Sequence, residues 1–198
     1  MKKRLALLMT IFLVPAFVWA GEVEDFGDQL SNFYKAPSLE KFEVFQKQAQ
    51  KLESEIFKKK GGVGLLVSVM IAKISKKYSW PITVDGKAGK MAKDIVLGKS
   101  DLAKYVENDK LVSPAKLDIW WVSYFATGET QYLDKILVYA GEESPQGELG
   151  KTMIVGAATW SFKSNCRQHN TIKEYAKKCL KMEQYKKKKK YLDECINQ

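Results

Sequence analysis

Residues 113–128 read Ser-Pro-Ala-Lys-Leu-Asp-Ile-Trp-Trp-Val-Ser-Tyr-Phe-Ala-Thr-Gly, and residues 130–141 continue Thr-Gln-Tyr-Leu-Asp-Lys-Ile-Leu-Val-Tyr-Ala-Gly. Ser113 is a helix N-cap, and Pro114 sits at the first helical position, where its missing N–H costs nothing. Leu117, Trp120, Trp121, Tyr124 and Phe125 form a broad apolar face, and Gly128 supplies the turn that ends the helix. Thr130 is expected to cap a second helix with Leu133, Ile136, Leu137 and Ala140 inward, closed by Gly141. Helices joined by such short glycine turns are antiparallel neighbours.

The same grammar extends in both directions. Ser38 caps a helix carrying Leu39, Phe42, Phe45, Ala49, Leu52 and Ile56 at helical spacing, ended by Lys58-Lys59-Lys60-Gly61-Gly62. Val63 to Ile74 is apolar nearly all round, which predicts a buried helix. Trp80 to Gly89 is a loop, Met91 to Leu97 a helix closed by Gly98, and Ser100-Asp101 opens another. Glu142 to Gly150 is a polar loop. Met153 to Phe162, Thr171 to Met182 and Gln184 to Ile196 complete the set. No alternating strand pair with a hairpin turn occurs. The expected fold is all-α: about seven helices in antiparallel pairs, as a compact bundle or a short helical-repeat array. The repeat alternative rests on an echo among Tyr132-Leu-Asp-Lys-Ile-Leu137, Tyr175-Ala-Lys-Lys-Cys-Leu180 and Tyr191-Leu-Asp-Glu-Cys-Ile196.

The first twenty residues carry an address. Lys2, Lys3 and Arg4 precede an uncharged, mostly apolar run from Leu5 to Val18, followed by Trp19-Ala20. This reads as a secretory signal peptide cut after Ala20. A membrane anchor is the alternative, but the run falls short of the roughly 20 residues a span needs, and Pro15 interrupts it. The mature chain, 21–198, is expected to be one all-α domain, periplasmic or secreted, with a basic C-terminal helix over 183–198.

Charge and cysteines share one segment. Of 33 Lys and Arg against 23 Asp and Glu, residues 151–198 hold twelve and four, a net +8. The peak is Lys186, Lys187, Lys188, Lys189 and Lys190. Exposed, this run would bind anionic lipid or lipopolysaccharide phosphates, each basic residue contributing on the order of 1 kcal/mol; the plainer reading is a solvated helix face that aids solubility. Nucleic acid is the less expected partner, because the run lacks interleaved aromatics. Another envelope or secreted protein is the third possibility. Cys166, Cys179 and Cys195 are all the cysteines. Export makes a disulfide the default, and Cys179–Cys195 is favoured because both sit on apolar stripes of adjacent helices. The alternative is three small core residues.

Catalytic patterns are sparse. His169, the only histidine, stands three residues after Cys166, within reach on one helical face, so a thiol-dependent enzyme using Cys166 and His169 is one reading. A helix end at His169-Asn170 is the plainer one. Two such ligands do not make a zinc site, so no metal is expected. Lys60-Gly61-Gly62-Val63-Gly64 lacks the following Lys-Ser/Thr of a phosphate loop, and no cofactor motif is present. The aromatic run from Trp120 to Phe125 would line a ligand groove or pack the core.

Trp120 to Gly128, ending Phe-Ala-Thr-Gly, and Ala158-Thr-Trp-Ser-Phe-Lys-Ser-Asn165 with Gln168-His169 resemble a functionally uncharacterised family of exported bacterial helical proteins. The resemblance spans residues 30–180. It implies one exported helical domain, carries no catalytic residues, and puts Cys166 at a small, buried position. The sequence thus points to an exported interaction or scaffold module, with the lysine-run and thiol readings as alternatives.

Overall fold

A computed structural model describes residues 22–58, 62–143 and 147–197, and among them every regular element is helical. The expected signal peptide lies outside the described residues. The chain divides into two compact units, the first ending at Glu129 and the second beginning at Thr130.

In the first unit, α1 (Glu22–Asn32) and a 3-10 turn (Phe33–Lys35) precede α2 (Leu39–Lys51) and α3 (Glu53–Lys58). They are followed by α4 (Val63–Tyr78), α5 (Lys87–Leu97), α6 (Asp101–Glu107) and α7 (Pro114–Thr127). The all-round apolar stretch is the central helix: Val67, Val69, Met70, Ile71, Ala72 and Ile74 of α4 are fully buried. α4 packs against α5 and α7. Ser38, Ser100 and Ser113 accept from the backbone N–H groups of Lys41, Ala103 and Lys116, as their N-cap role requires. Gly98 and Gly128 adopt the left-handed conformation that ends α5 and α7.

Two lysines reach inward here. Lys116 is fully buried, and its Nζ donates to the carbonyls of Tyr105 (2.8 Å) and Val106 (2.6 Å), closing the C-terminus of α6. Lys73 bonds both oxygens of Glu107 at 3.1 Å, and Lys76 adds a third bond to the same carboxylate. These cations hold Glu107 below the usual carboxylate range, although burial opposes them. Gln46, fully buried, bonds Pro81 O and Thr83 N and so fixes the extended 80–85 segment. The aromatic face of α7 is core: Trp120, Trp121, Tyr124 and Phe125 are all buried.

The second unit contains α8 (Gln131–Tyr139), α9 (Leu149–Gln168), α10 (Asn170–Cys179), a 3-10 turn (Glu183–Lys188) and α11 (Lys189–Ile196). Gly141, with φ of +73°, admits no side chain, because a Cβ there would come within 2.5 Å of the Tyr191 ring.

The helical class is as expected, and the helix count is corrected. Eleven α-helices occur among the described residues, against about seven. The helix expected over 39–56 breaks at Leu52, whose N–H bonds back to Gln48 O as α2 ends. α1 was not expected. Thr130 precedes α8 with right-handed helical backbone angles and makes no side-chain cap. The segment expected as one helix over 183–198 is a 3-10 turn followed by α11.

Candidate binding surface

The second unit is held by polar ties in its interior. Asp134 of α8 accepts from the hydroxyls of Tyr175 on α10 and Tyr185 on the 3-10 turn. Burial, and then the Asp134 bond, push the Tyr185 phenol up to about 12 and hold Tyr175 well above its ordinary value. Both therefore stay protonated donors. The Tyr191 hydroxyl donates to Thr159 O at 2.8 Å, joining α11 to α9.

The cysteines belong to this interior. All three are buried and none is in a disulfide, which corrects the expected Cys179–Cys195 pair. The reason is where the helices put them. Cys195 of α11 lies beside Cys166 of α9, whereas Cys179 lies beside Tyr175 one turn back on its own helix. Cys166 is 1% exposed. The neighbouring Cys195 thiol, together with burial, raises the Cys166 thiol far above its ordinary value. Burial pushes Cys179 up to about 11. A thiol held protonated and away from solvent is a poor nucleophile. His169 is buried at the junction of α9 and α10, where its backbone N–H donates to Asn165 O. Among the described residues no three His, Cys, Asp or Glu side chains group to hold a metal ion.

The lysine run is divided by backbone geometry. A 3-10 helix has three residues per turn, so positions three apart lie one above the other. Tyr185 and Lys188 share the inner side of the 183–188 turn, and both are buried. Lys188 Nζ donates to Val138 O (3.1 Å), to Ala140 O (2.8 Å) and to the Glu142 carboxylate, closing the C-terminus of α8. Lys186 is exposed and paired with Glu183 at 3.1 Å. Lys187, Lys189 and Lys190 are exposed and have no ion-pair partner among the described residues. Lys178 and Lys181, at the end of α10, share that condition, and the charge run alone did not single them out. The resulting surface follows the chain from the end of α10 to the start of α11. Beside it, Lys189, Lys190, Asp193, Glu194 and Asn197 line a shallow hollow on α11.

No helix among the described residues is long and apolar enough to cross a membrane. No protein-family model, curated protein or solved structure matches the chain.

Proposed function

We propose that this chain is an exported, non-catalytic helical binding module, and that its contact surface is the lysine cluster around the turn from α10 to α11. Its partner carries phosphate-bearing lipid headgroups at the envelope. The observation that carries this reading is the split between inner and outer polar groups. Cys166, Cys179, Cys195, His169 and Lys188 are buried within the second unit. Lys178, Lys181, Lys187, Lys189 and Lys190 remain exposed with no ion-pair partner among the described residues. These five exposed lysines outnumber the carboxylates beside them, Glu174, Glu183, Asp193 and Glu194, and an anionic surface is attracted to such a cationic excess. A scaffold role toward another exported protein draws on the same surface, through an acidic patch on that partner.

The test is co-sedimentation of the chain from Gly21 with vesicles of phosphatidylcholine, with and without phosphatidylglycerol. At about 1 kcal/mol per lysine near such a surface, replacing these five lysines by glutamine is expected to weaken binding at least tenfold. Raising the salt should have a similar effect. Equal binding by parent and variant, or equal binding to neutral vesicles, overturns the proposal.

A further inference from the structure

α9 is apolar on two opposite faces. Val155, Ala158, Phe162 and Cys166 form its buried side. Leu149, Met153 and Trp160 recur at spacings of four and seven on the other side, with Gly156 and Ala157 between them. They are 75%, 41% and 46% exposed. Large side chains seldom line up in this way on a solvated helix face, because a polar residue there avoids the cost of wetting them.

The position of this stripe follows from the packing of α9 against α11. The Tyr191 hydroxyl meets Thr159 O, and the Tyr191 ring lies 6.3 Å from that of Phe162. Lys163 then pairs with Glu194 at 3.2 Å, and Cys166 lies beside Cys195. Each step along α9 is matched by a step along α11, so the two helices run side by side in the same direction. The Lys163–Glu194 pair is partly exposed and marks the outer edge of the seam. Trp160 precedes Lys163 by one turn, and Lys190 precedes Glu194 by one turn. Trp160 and Lys190 therefore reach the same outer surface at the same level, with Lys187 and Lys189 close by in the chain.

We propose that the outward stripe of α9 inserts into the interface of an anionic phospholipid bilayer, with Trp160 as its anchor and the neighbouring lysines on the headgroups. This rests on the cationic surface proposed above and adds an apolar component to it. Tryptophan favours the boundary between headgroups and acyl chains, and lysine stems extend from there to the phosphates. The cationic excess of the surrounding surface favours an anionic occupant over a second, equally basic copy of the chain. Three large side chains are also a small area beside the roughly 800 Å² per partner of a stable protein interface.

The experiment measures tryptophan fluorescence of the chain from Gly21 bound to phosphatidylglycerol–phosphatidylcholine vesicles whose acyl chains carry bromine. Of the tryptophans after Ala20, Trp120 and Trp121 are buried and Trp80 is half-buried. Quenching in the parent that disappears in Trp160→Phe, with Met153→Glu weakening binding about tenfold, is the expected result. Binding without quenching overturns insertion and leaves the electrostatic reading standing. Quenching that persists in Trp160→Phe also overturns it. Self-association of the free chain that Met153→Glu abolishes assigns the stripe to a second copy and overturns it too. Absence of binding to anionic vesicles overturns both readings.

Discussion

Replacing Lys188 by methionine separates structure from surface within a run of five identical residues. Methionine keeps most of the aliphatic stem and removes only the ammonium. The structure gives that ammonium three acceptors: Val138 O, Ala140 O and the Glu142 carboxylate. A hydrogen bond to a charged group contributes about 1.5–3 kcal/mol net. The Glu142 side chain is 51% exposed, so its share falls in the surface range of at most about 1 kcal/mol. The carbonyls that end α8 recover some water when the cation leaves, which offsets part of the loss. The expected destabilisation is about 2–4 kcal/mol. With a urea slope of about 2 kcal/mol per molar, the unfolding midpoint followed by circular dichroism falls by about 1–2 M. Lys187→Gln and Lys190→Gln, at exposed positions, should stay within about 0.5 kcal/mol of the parent. High salt should leave the Lys188 effect largely intact, because most of it comes from bonds between a buried ammonium and backbone carbonyls, which salt screens little. A Lys188→Met chain unfolding together with the Lys187 and Lys190 variants would refute the capping role.

Asp118 and the cysteines yield two more expectations. Burial pushes the Asp118 carboxyl up to about 7, so the folded chain keeps a proton there that the unfolded chain releases near pH 4. The group therefore costs stability as pH rises from about 4 to about 7, up to roughly 4 kcal/mol once fully ionised. Asp118→Asn should match the parent at pH 3 and exceed it at pH 8, and a difference in urea midpoints that does not change with pH would sink this account. Iodoacetamide should leave all three thiols unlabelled in the native chain and label all three in denaturant, scored by intact mass; rapid labelling of Cys166 alone would restore the thiol reading with His169.

What was legible in the sequence was local. Ser38, Ser100 and Ser113 announce helix starts because each cap is a bond to a backbone group three residues away. Gly98, Gly128 and Gly141 announce ends because only a residue without a Cβ takes positive φ freely. The Leu52 break and the 3-10 turn at 183–188 carry no comparable mark, since nothing in the residue types forbids a longer helix there.

The buried lysines were illegible for a different reason. Nothing in the sequence singles out Lys73, Lys116 or Lys188 for burial, yet each has an acceptor set by another helix: Glu107, the α6 carbonyls, and the α8 carbonyls some fifty residues earlier in the chain. A long flexible stem lets an ammonium travel to wherever a helix end needs closing, and residue spacing does not record that destination. The same logic governs the outer surface of the second unit. Within 183–188 the three-residue period draws Tyr185 and Lys188 inward and leaves Lys187 exposed, while α11 leaves Lys189 and Lys190 outside. The matched order of α9 and α11 then brings Trp160 to the level of Lys190, thirty positions away. The charge run alone points only to an anion. The proposed insertion adds a tryptophan to that charge, and such a combination is what a phase boundary favours, where one component seeks phosphate and the other seeks hydrocarbon.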